Sequence, residues 1–194
     1  MSIRMATHGD LPEILEIYAP YVLNTAVSFE YTVPTLAEFT ARFEKITKQF
    51  PWLVWEEQGK VLGYAYGSAP FERAAYQWCA SASIYLHPQI QGKGIGKQLY
   101  QVLEAILTKQ GYRKLYAVVT SANMSSVAFH QAVGYTQFAV FPDCGVKFGK
   151  LYGTIWLEKN LNNVGIPSSI PNSVFEIVGN DENLAIFLDK IPLS

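Results

Sequence analysis

Apolar residues recur along the chain first at helical and then at strand spacing. The first helical pattern follows Asp10, which with Glu13 has the form of an N-cap and a carboxylate three residues later, and it predicts a helix to about Asn24. A second helical pattern opens at Thr35. The apolar positions of the two patterns are Leu11, Ile14, Leu15, Tyr18 and Val22, and then Leu36, Phe39, Phe43 and Ile46.

Runs rich in β-branched and aromatic residues predict strands further along, over residues 52–56, 61–68, 78–86, 115–119, 135–141 and 152–158. Two more helices are expected over residues 97–110 and 123–133, and the second is closed by Gly134 at the position of a C′ glycine. Because strands and helices interleave, the pattern favours an α/β layered sheet over a helix bundle or a β-sandwich.

The composition supports a folded domain with a substantial core. Of 194 residues, 49% are hydrophobic and 16% are charged, which excludes disorder over the whole chain. The net charge of −1 excludes a general nucleic-acid coat or a polybasic membrane binder, so neither partner is expected. No apolar run reaches the roughly 18 residues of a membrane span, and the first residues lack an apolar signal core. We therefore expect a soluble, cytoplasmic protein.

The two cysteines, Cys79 and Cys144, are too few for a disulfide scaffold or a four-cysteine zinc site. They are expected to be free thiols in a reducing compartment. No group of His, Cys, Asp and Glu has the spacing of metal ligands, so no metal is expected.

The composition changes after Leu161, which divides the chain into a domain over residues 1–161 and a C-terminal extension over 162–194. Residues 162–173 are rich in Asn, Ser, Pro and Gly and are typical of a linker. A short strand is predicted over 174–178 and a short amphipathic helix over 182–190. The extension is too small to fold alone, and we expect it to pack on the domain or on a neighbouring subunit. The alternative, a role in covering a substrate, has no support in the sequence.

A glycine-rich loop joins one predicted strand to the helix that follows it. Gly92, Gly94 and Gly96 allow close approach of a ligand, and the helix N-terminus adds unpaired N–H groups, which together favour a phosphate or pyrophosphate. Lys93 and Lys97 add cationic contacts. The loop is neither a P-loop, since no Ser or Thr follows Lys97, nor a dinucleotide fingerprint, since the spacing is G-x-G-x-G. The alternative is a turn in which the glycines serve geometry alone.

The segment Gln91-Gly-Lys-Gly-Ile-Gly96 resembles the Arg/Gln-x-x-Gly-x-Gly/Ala motif of the GCN5-related N-acetyltransferases, the GNAT family. The order of elements is similar over about residues 2–160, and the segments 84–88, 123–135 and 146–149 resemble the phosphinothricin acetyltransferase subfamily. The resemblance implies the GNAT fold, a mixed and mostly antiparallel central sheet of about six or seven strands flanked by four or more helices. It also implies a homodimer.

Acetyl-CoA is the cosubstrate that the resemblance implies. In that family the loop holds the pyrophosphate, here through Gln91, Gly92, Lys93, Gly94, Ile95, Gly96 and Lys97. The pantetheine arm is expected to pair like an added strand with the backbone of Ile84, Tyr85 and Leu86. Asn123 and Ser126, on the next helix, are expected to complete the cofactor site.

The general base is the point at which the chain departs from the subfamily. Ser81 stands where the subfamily usually carries a Glu, and Gly153 where it tends to have an Asp. A serine is no comparable base, although Ser81 can hold an ordered water that carries the proton. His130 is the leading replacement, because its unperturbed pKa suits proton transfer. The alternative for His130 is a hydrogen-bonded helix histidine that only orients other groups.

The acceptor pocket is implied by the resemblance at Phe29, Glu30, Arg73, Tyr76 and Lys147. Arg73 or Lys147 is expected to pair with a substrate carboxylate. Phe29 and Tyr76 are expected to form walls, with core packing as the alternative, and a solvated loop charge is the alternative for Arg73.

The resemblance thus implies acetyl transfer to the primary amine of a small amino-acid-like substrate of the phosphinothricin or methionine sulfone type. Two alternatives stay open at this point. The first is an acetyl-CoA-binding protein with weak or lost catalysis, because Ser81 replaces the Glu. The second is a protein or peptide N-acetyltransferase, which requires an open groove.

Overall fold

A computed structural model describes residues 2–161, 165–179, 181–189 and 191. One sheet contains all seven strands of the described residues, in the order β1-β2-β3-β4-β5-β7-β6, and every neighbouring pair is antiparallel except β4 and β5. The strands are β1 (Ser2–Met5), β2 (Trp52–Glu57), β3 (Lys60–Ser68), β4 (Cys79–Leu86), β5 (Lys114–Thr120), β6 (Thr136–Lys147) and β7 (Lys150–Asn160). The predicted mixed and mostly antiparallel sheet is confirmed.

Six α-helices flank this sheet within the described residues: α1 (Leu11–Asn24), α2 (Leu36–Thr47), α3 (Ile95–Gln110), α4 (Met124–Ala132), α5 (Val174–Val178) and α6 (Asp181–Leu188). Helices α1 and α2 cover one face and α3 the other, which gives two buried apolar clusters. The alternation of β2 divides its side chains between them, since Trp52 and Val54 join α1 and α2 whereas Leu53 and Trp55 face α3. Within the described residues, no helix has the length and apolarity to cross a membrane.

The N-terminal elements differ from the prediction in two ways. Residues 2–5, to which the sequence pattern assigned no element, form an edge strand paired with β2, with Ser2 opposite Glu56. Asp10 occupies the predicted N-cap position of α1, but its side chain makes no capping hydrogen bond to the helix. Its carboxylate accepts hydrogen bonds from the backbone of Thr7 and from the guanidinium of Arg4, each at 2.7 Å. It therefore closes the turn before the helix instead of the helix itself.

The predicted strand over 174–178 is wrong, because this segment forms α5. The Ser173 hydroxyl accepts from the backbone N–H of Glu176, whose carboxylate in turn accepts from the N–H of Ser173. Val174 and Val178, four residues apart, are both buried in the cluster that contains α3. Helix α6 matches the predicted amphipathic helix in type, although the predicted end at residue 190 and residues 162–164 of the predicted linker lie outside the described residues.

Candidate active site

The two parallel strands at the centre of the sheet diverge. Strands β4 and β5 pair over only three positions, the last of which places Ser81 opposite Tyr116. Beyond this point β4 continues along β3 to Leu86, while β5 continues along β7 to Thr120. A V-shaped cleft therefore opens between them, bordered by strand edges that have no strand partner within residues 2–161.

Alternation along β4 decides which backbone groups face this cleft. The N–H of His87 donates to Leu62 on β3 at 2.7 Å, so the backbone groups of every second residue before it also point towards β3. Ile84 and Leu86 therefore present their N–H and C=O groups to the cleft. The backbone of Tyr85 is turned to β3, so it does not offer the predicted backbone pairing, although Tyr85 is among the residues that line the cleft. Its ring instead packs 5.0 Å from that of Tyr18, on the α1 side of the sheet.

The glycine-rich loop leads from β4 to the start of α3. Gly92 and Gly94 have φ values of +73° and +79°, in the left-handed region, and a Cβ at either would meet nothing within 4 Å. These two glycines are thus required by backbone conformation and not by space. Gly96 is required by space, because a Cβ there would lie 3.2 Å from the Phe129 ring. Gly94 precedes α3 without a side-chain cap, so the first N–H groups of the helix stay open to a ligand.

The loop and the diverging strands enclose one cleft with two parts. The outer part has a volume of about 480 Å³, and Lys97 and the three loop glycines are among the residues that line it. The inner part, which we call the inner chamber, has a volume of about 70 Å³ and reaches Ser83, Tyr100 and His130. The two parts share Val27, Ile84, Asn123 and Ser126. Lys93 and Ile95 are not among the lining residues of either part, and Ile95 is buried in the core.

Helix α1 contributes to the cleft a residue that the sequence pattern did not single out. The hydroxyl of Tyr21 donates to the carbonyl of Leu86 at 2.6 Å, and Gln91 donates to both of them, at 3.0 Å and 3.2 Å. This arrangement holds the end of β4, the loop and α1 together. Tyr21 follows the predicted Tyr18 by three residues, so helical spacing was the signal that could have identified it.

Helix α4 brings Asn123, Ser126 and His130 to the cleft. The Asn123 side chain caps the helix, since its Oδ1 accepts from the N–H of Ser126 at 3.2 Å. One turn later, Nδ1 of His130 lies 2.7 Å from the Ser126 carbonyl oxygen. A carbonyl only accepts, so Nδ1 carries the proton and Nε2 is an acceptor. Nε2 accepts from the hydroxyl of Tyr100 at 2.9 Å, so both ring nitrogens have partners.

Burial sets the protonation state of His130, which is only 3% exposed. Desolvation lowers the pKa of His130 below its ordinary value of 6.5, and the hydrogen bond to Ser126 opposes this only in part. The imidazole is therefore neutral at pH 7. Desolvation also raises the pKa of Tyr100 well above 10, which keeps its hydroxyl protonated as a donor.

Comparison with known proteins identifies the family to which this cleft and glycine-rich loop belong. Residues 3–156 match the family described as acetyltransferase (GNAT) domain. The chain belongs to the GNAT acetyltransferase family. A phosphinothricin N-acetyltransferase of Alcaligenes faecalis is 36% identical over 163 residues, which cover 83% of each chain. An L-methionine sulfoximine/L-methionine sulfone acetyltransferase of Salmonella typhimurium is 34% identical and covers 87% of this chain and 99% of its own.

Solved structures support the same assignment. The crystal structure of a GNAT superfamily phosphinothricin acetyltransferase from Sinorhizobium meliloti, in complex with AcCoA, superposes with a TM-score of 0.83. It is 37% identical, and the match covers 87% of this chain and 94% of that one. The predicted resemblance to the GNAT family and its phosphinothricin acetyltransferases is therefore confirmed.

The two departures from the subfamily pattern have different structural settings. Ser81 occupies the last paired position of β4 and is not among the residues that line the inner chamber. The structure therefore does not bring Ser81 and His130 into one wall of this GNAT cleft. At Gly153 a Cβ would lie 2.7 Å from the carbonyl oxygen of Phe141. Strand β6 passes too close for any side chain there, which gives a physical reason for the missing Asp.

Lys147 was expected to pair with a substrate carboxylate, and the structure contradicts this. Its side chain is buried, and Nζ donates to the carbonyls of Val22 at 2.7 Å and Ser28 at 2.5 Å. Desolvation lowers the pKa of Lys147. The ammonium thus ties the end of α1 and the segment after it to β6, and it is a structural group.

The other four predicted acceptor residues fall into two groups. Phe29 packs against β6, where a Cβ at Gly145 would lie 2.4 Å from its ring, and Glu30 forms an ion pair with Arg42 at 2.8 Å. Arg73 and Tyr76 instead line a separate cavity beside the β3–β4 connection. The predicted acceptor set is therefore not gathered in one place by the described residues.

Proposed function

We propose that the protein transfers the acetyl group of acetyl-CoA to the primary amine of a small amino-acid-like acceptor within a ternary complex. The observation that carries this proposal is the cleft between β4 and β5, which continues into the open N-terminus of α3. Relatives named for phosphinothricin, methionine sulfoximine and methionine sulfone support an acceptor of this class.

The fit of acetyl-CoA rests on three features of the chain. The left-handed glycines and the first N–H groups of α3, beside Lys97, suit a pyrophosphate. The cleft edge of β4, at both backbone groups of Ile84 and at the N–H of Leu86, suits an extended amide-bearing arm, whereas the Leu86 carbonyl is held by Tyr21 and Gln91. Asn123 uses Oδ1 for its own cap, which leaves its amide N–H groups for that arm. No group of three His, Cys, Asp or Glu side chains that could hold a metal ion occurs among the described residues.

When bound, acetyl-CoA supplies an acyl group activated as a thioester. The backbone N–H of Ile84 points into the cleft just beyond the point of divergence, where it serves to bind and orient the acyl arm. Donors held by a sheet need no rearrangement during the reaction, which is the basis of oxyanion-type stabilisation.

The amine must lose a proton, and we assign the path of that proton to Tyr100 and His130. As the amine nitrogen bonds to the acyl carbon and the carbon–sulfur bond breaks, the amine gives a proton to the Tyr100 oxygen, whose own hydroxyl proton passes to Nε2 of His130. The departing thiolate takes up a proton through the same pair and leaves as the CoA thiol. The imidazolium that forms keeps its Nδ1–H bond to the Ser126 carbonyl. Ser81 lies at the neck of the cleft, the point where β4 and β5 separate. There it can hold a water, but its hydroxyl is not a base comparable to the Glu of the subfamily.

Release of free CoA thiol from acetyl-CoA tests this function. The acceptors are phosphinothricin, methionine sulfone, methionine sulfoximine, other amino acids, polyamines and short peptides, and calorimetry with CoA runs in parallel. Amine-dependent release confined to amino-acid-like acceptors is the expected result. CoA binding without release for any amine would contradict the proposal, and release with peptides alone would show a peptide N-acetyltransferase.

A second candidate is an acetyl-CoA-binding protein with weak catalysis. It is favoured by one observation, namely that the described residues lining the inner chamber include no carboxylate. The variant Ser81→Glu distinguishes the two, with Ser81→Gln as the matched control for size. Under this candidate Ser81→Glu gains turnover that the native chain lacks, whereas under the first candidate the native chain already turns over.

Assembly and location belong to the same proposal. Strands β6 and β7 and the turn between them expose apolar side chains that are each about half accessible, namely Phe138, Val140, Phe141, Val146, Phe148 and Leu151. A patch of this kind marks an interface, and we propose a homodimer. Light scattering should give twice the chain mass, and Leu151→Asp should halve it while Ile166→Asp, at an exposed site in the extension, should not. We also propose a cytoplasmic protein without nucleic-acid or membrane partners, as the near-neutral net charge supports.

A further inference from the structure

A second cavity lies outside the cleft, between the β3–β4 connection and the C-terminal extension. Its volume is about 300 Å³, at the lower end of the range for small-molecule sites. Arg73 and Tyr76 line it from the connection, whereas Ile170 and Pro171 line it from the extension. The family match ends at residue 156, so one wall of this cavity comes from chain beyond the matched domain.

Hydrogen bonds hold that wall in place. The side chains of Gln49 and Gln110 both donate to the Asn172 carbonyl, at 3.0 Å and 2.8 Å. The N–H of Asn172 donates back to the Gln110 carbonyl at 2.8 Å, and the indole of Trp78 donates to the Ser169 carbonyl at 2.8 Å. With α5 buried on α3 just beyond, Ile170 and Pro171 are held between anchored points.

The cavity adjoins the neck of the cleft, where the strands diverge. Cys79 lines the cavity and lies two residues before Ser81 on the same face of β4, a distance of about 7 Å. Phe71, also in the lining, packs 5.9 Å from the ring of Tyr116, which is the residue paired with Ser81. Ala82, the residue after Ser81, lines the inner chamber, so a molecule whose amine lies at this end of the chamber has its far end within reach of the cavity.

The side chains that line this second cavity favour an apolar group as its occupant. Phe50, Phe71, Tyr112, Ile170 and Pro171 make much of the surface apolar, whereas the charged residues of the lining are Glu72 and Arg73, both exposed. An apolar arm is favoured between such walls, and ionic groups are favoured at the exposed edge.

We propose that this cavity binds the apolar side chain of an amino-acid acceptor, and that Ile170 and Pro171 of the C-terminal extension limit its length. The inference rests on the proposed acetyl transfer and adds the substrate class that the extension selects. Arylalkyl and long thioether or sulfone side chains fill the cavity, whereas the methyl group of alanine leaves it empty.

The test narrows the cavity from the extension. Ile170→Trp places a larger ring in the wall without removing the buried residues of α5. Ile166→Trp is the matched control, because Ile166 is 96% exposed and is not among the lining residues of the cavity. Thiol release is measured with L-alanine, L-methionine sulfone and L-phenylalanine, and calorimetry measures CoA and L-phenylalanine binding.

The expected result is a selective loss. Ile170→Trp should raise KM for L-phenylalanine at least tenfold while kcat/KM for L-alanine and the Kd of CoA stay within twofold, and Ile166→Trp should behave as the native protein. Equal effects on all acceptors, or none, would overturn the proposal. If no acceptor turns over, the proposed function fails, and calorimetry still decides this inference, since equal L-phenylalanine binding by Ile170→Trp and native protein would contradict it.

Discussion

The hydroxyl of Tyr100 on α3 lies 2.9 Å from Nε2 of His130 on α4, and both side chains line the inner chamber. Because Nδ1 of the same ring is bound to the Ser126 carbonyl, the imidazole has one tautomer and one orientation. Two helices thus supply one hydrogen-bonded unit, and in the proposed mechanism a proton reaches His130 through Tyr100.

Removing the Tyr100 hydroxyl should therefore affect catalysis as strongly as removing the imidazole. Tyr100→Phe and His130→Gln are each expected to lower kcat by about 100-fold, a typical general acid–base contribution. The double variant should lose little more, because residues that act as a unit are not additive. The measurement is kcat in the thiol-release assay, with CoA affinity as the check on folding.

Tyr18→Phe is the matched control for that pair. It also removes a buried tyrosine hydroxyl, one that is hydrogen-bonded to Ser28 at 2.8 Å, and Tyr18 is not among the lining residues of the cleft. Its kcat should stay near that of the native protein. Native-like kcat in Tyr100→Phe would refute the proton path through this hydroxyl.

The pH dependence follows from the lowered pKa of His130. The neutral imidazole persists as pH falls to 6.5, so kcat should decline only below that value. Stability should decline in the same direction, because below pH 6.5 the unfolded chain binds a proton at this residue before the folded chain does. Kinetic profiles and urea unfolding between pH 5 and 8 measure both effects. A kcat decline centred above pH 6.5, retained in His130→Gln, would assign the titration to another group.

The left-handed glycine before α3 should be needed for both stability and cofactor binding. Gly94→Ala forces a Cβ into φ +79° and is expected to cost about 1–2 kcal/mol of unfolding free energy. Gly59→Ala, at φ +76° in the β2–β3 turn, carries the same strain away from the cleft. Both should be destabilised in urea, but only Gly94→Ala should weaken CoA binding in calorimetry. Equal CoA affinities would mean that the loop geometry does not serve the cofactor.

The two loop lysines should differ in their contribution to CoA binding. Lys97 lines the outer part of the cleft, whereas Lys93, on the same loop, is not among its lining residues. Lys97→Ala should raise the Kd of CoA about tenfold, as expected for a charge-assisted hydrogen bond to phosphate. Lys93→Ala should change it less than threefold. The effect of Lys97 should shrink with added salt, and the reverse ranking would show that the pyrophosphate lies elsewhere.

Asp10 should matter for stability and not for catalysis. Burial favours its neutral form, but hydrogen bonds from Arg4 and Thr7 outweigh this and lower the pKa of Asp10 below 3.8. The stabilisation is thus present above pH 3.8 and lost as pH falls through the lower folded value. Asp10→Asn should cost about 2 kcal/mol at pH 7. Glu44→Gln, in an exposed pair with His8, should cost less than about 1 kcal/mol, and equal losses by urea unfolding would contradict this account.

The local sequence pattern was sufficient to predict most of the helices and strands and to identify the glycine-rich loop as a candidate phosphate site. Helix α3 and strands β2 to β5 follow from spacing, because their apolar residues share one face or alternate over several residues. Gly92 and Gly94 were identified for the same reason, since their left-handed backbone conformation is a local property. Gly96 belongs to the same motif, but its physical reason is tertiary, because a Cβ there would meet the Phe129 ring. The sequence pattern did not predict β1 or the helical form of α5. Both elements are short, and they depend on tertiary contacts, namely the pairing of β1 with β2 and the burial of α5 on α3.

The tertiary structure decided what depends on residues far apart in sequence. The sequence places His130 on a helix, but only the tertiary structure shows that its Nε2 accepts from Tyr100. Likewise, only the tertiary structure shows that Lys147 is bound by the carbonyls of Val22 and Ser28 and is not open to a substrate. The orientation of the Tyr85 backbone likewise depends on its register with β3. The sequence by itself determined the fold family and the glycine-rich loop to which we assign the cofactor, because these rest on local pattern. The proposed proton path and the walls of the proposed acceptor cavity depend on packing, because their partners are separated by 30 to more than 90 residues.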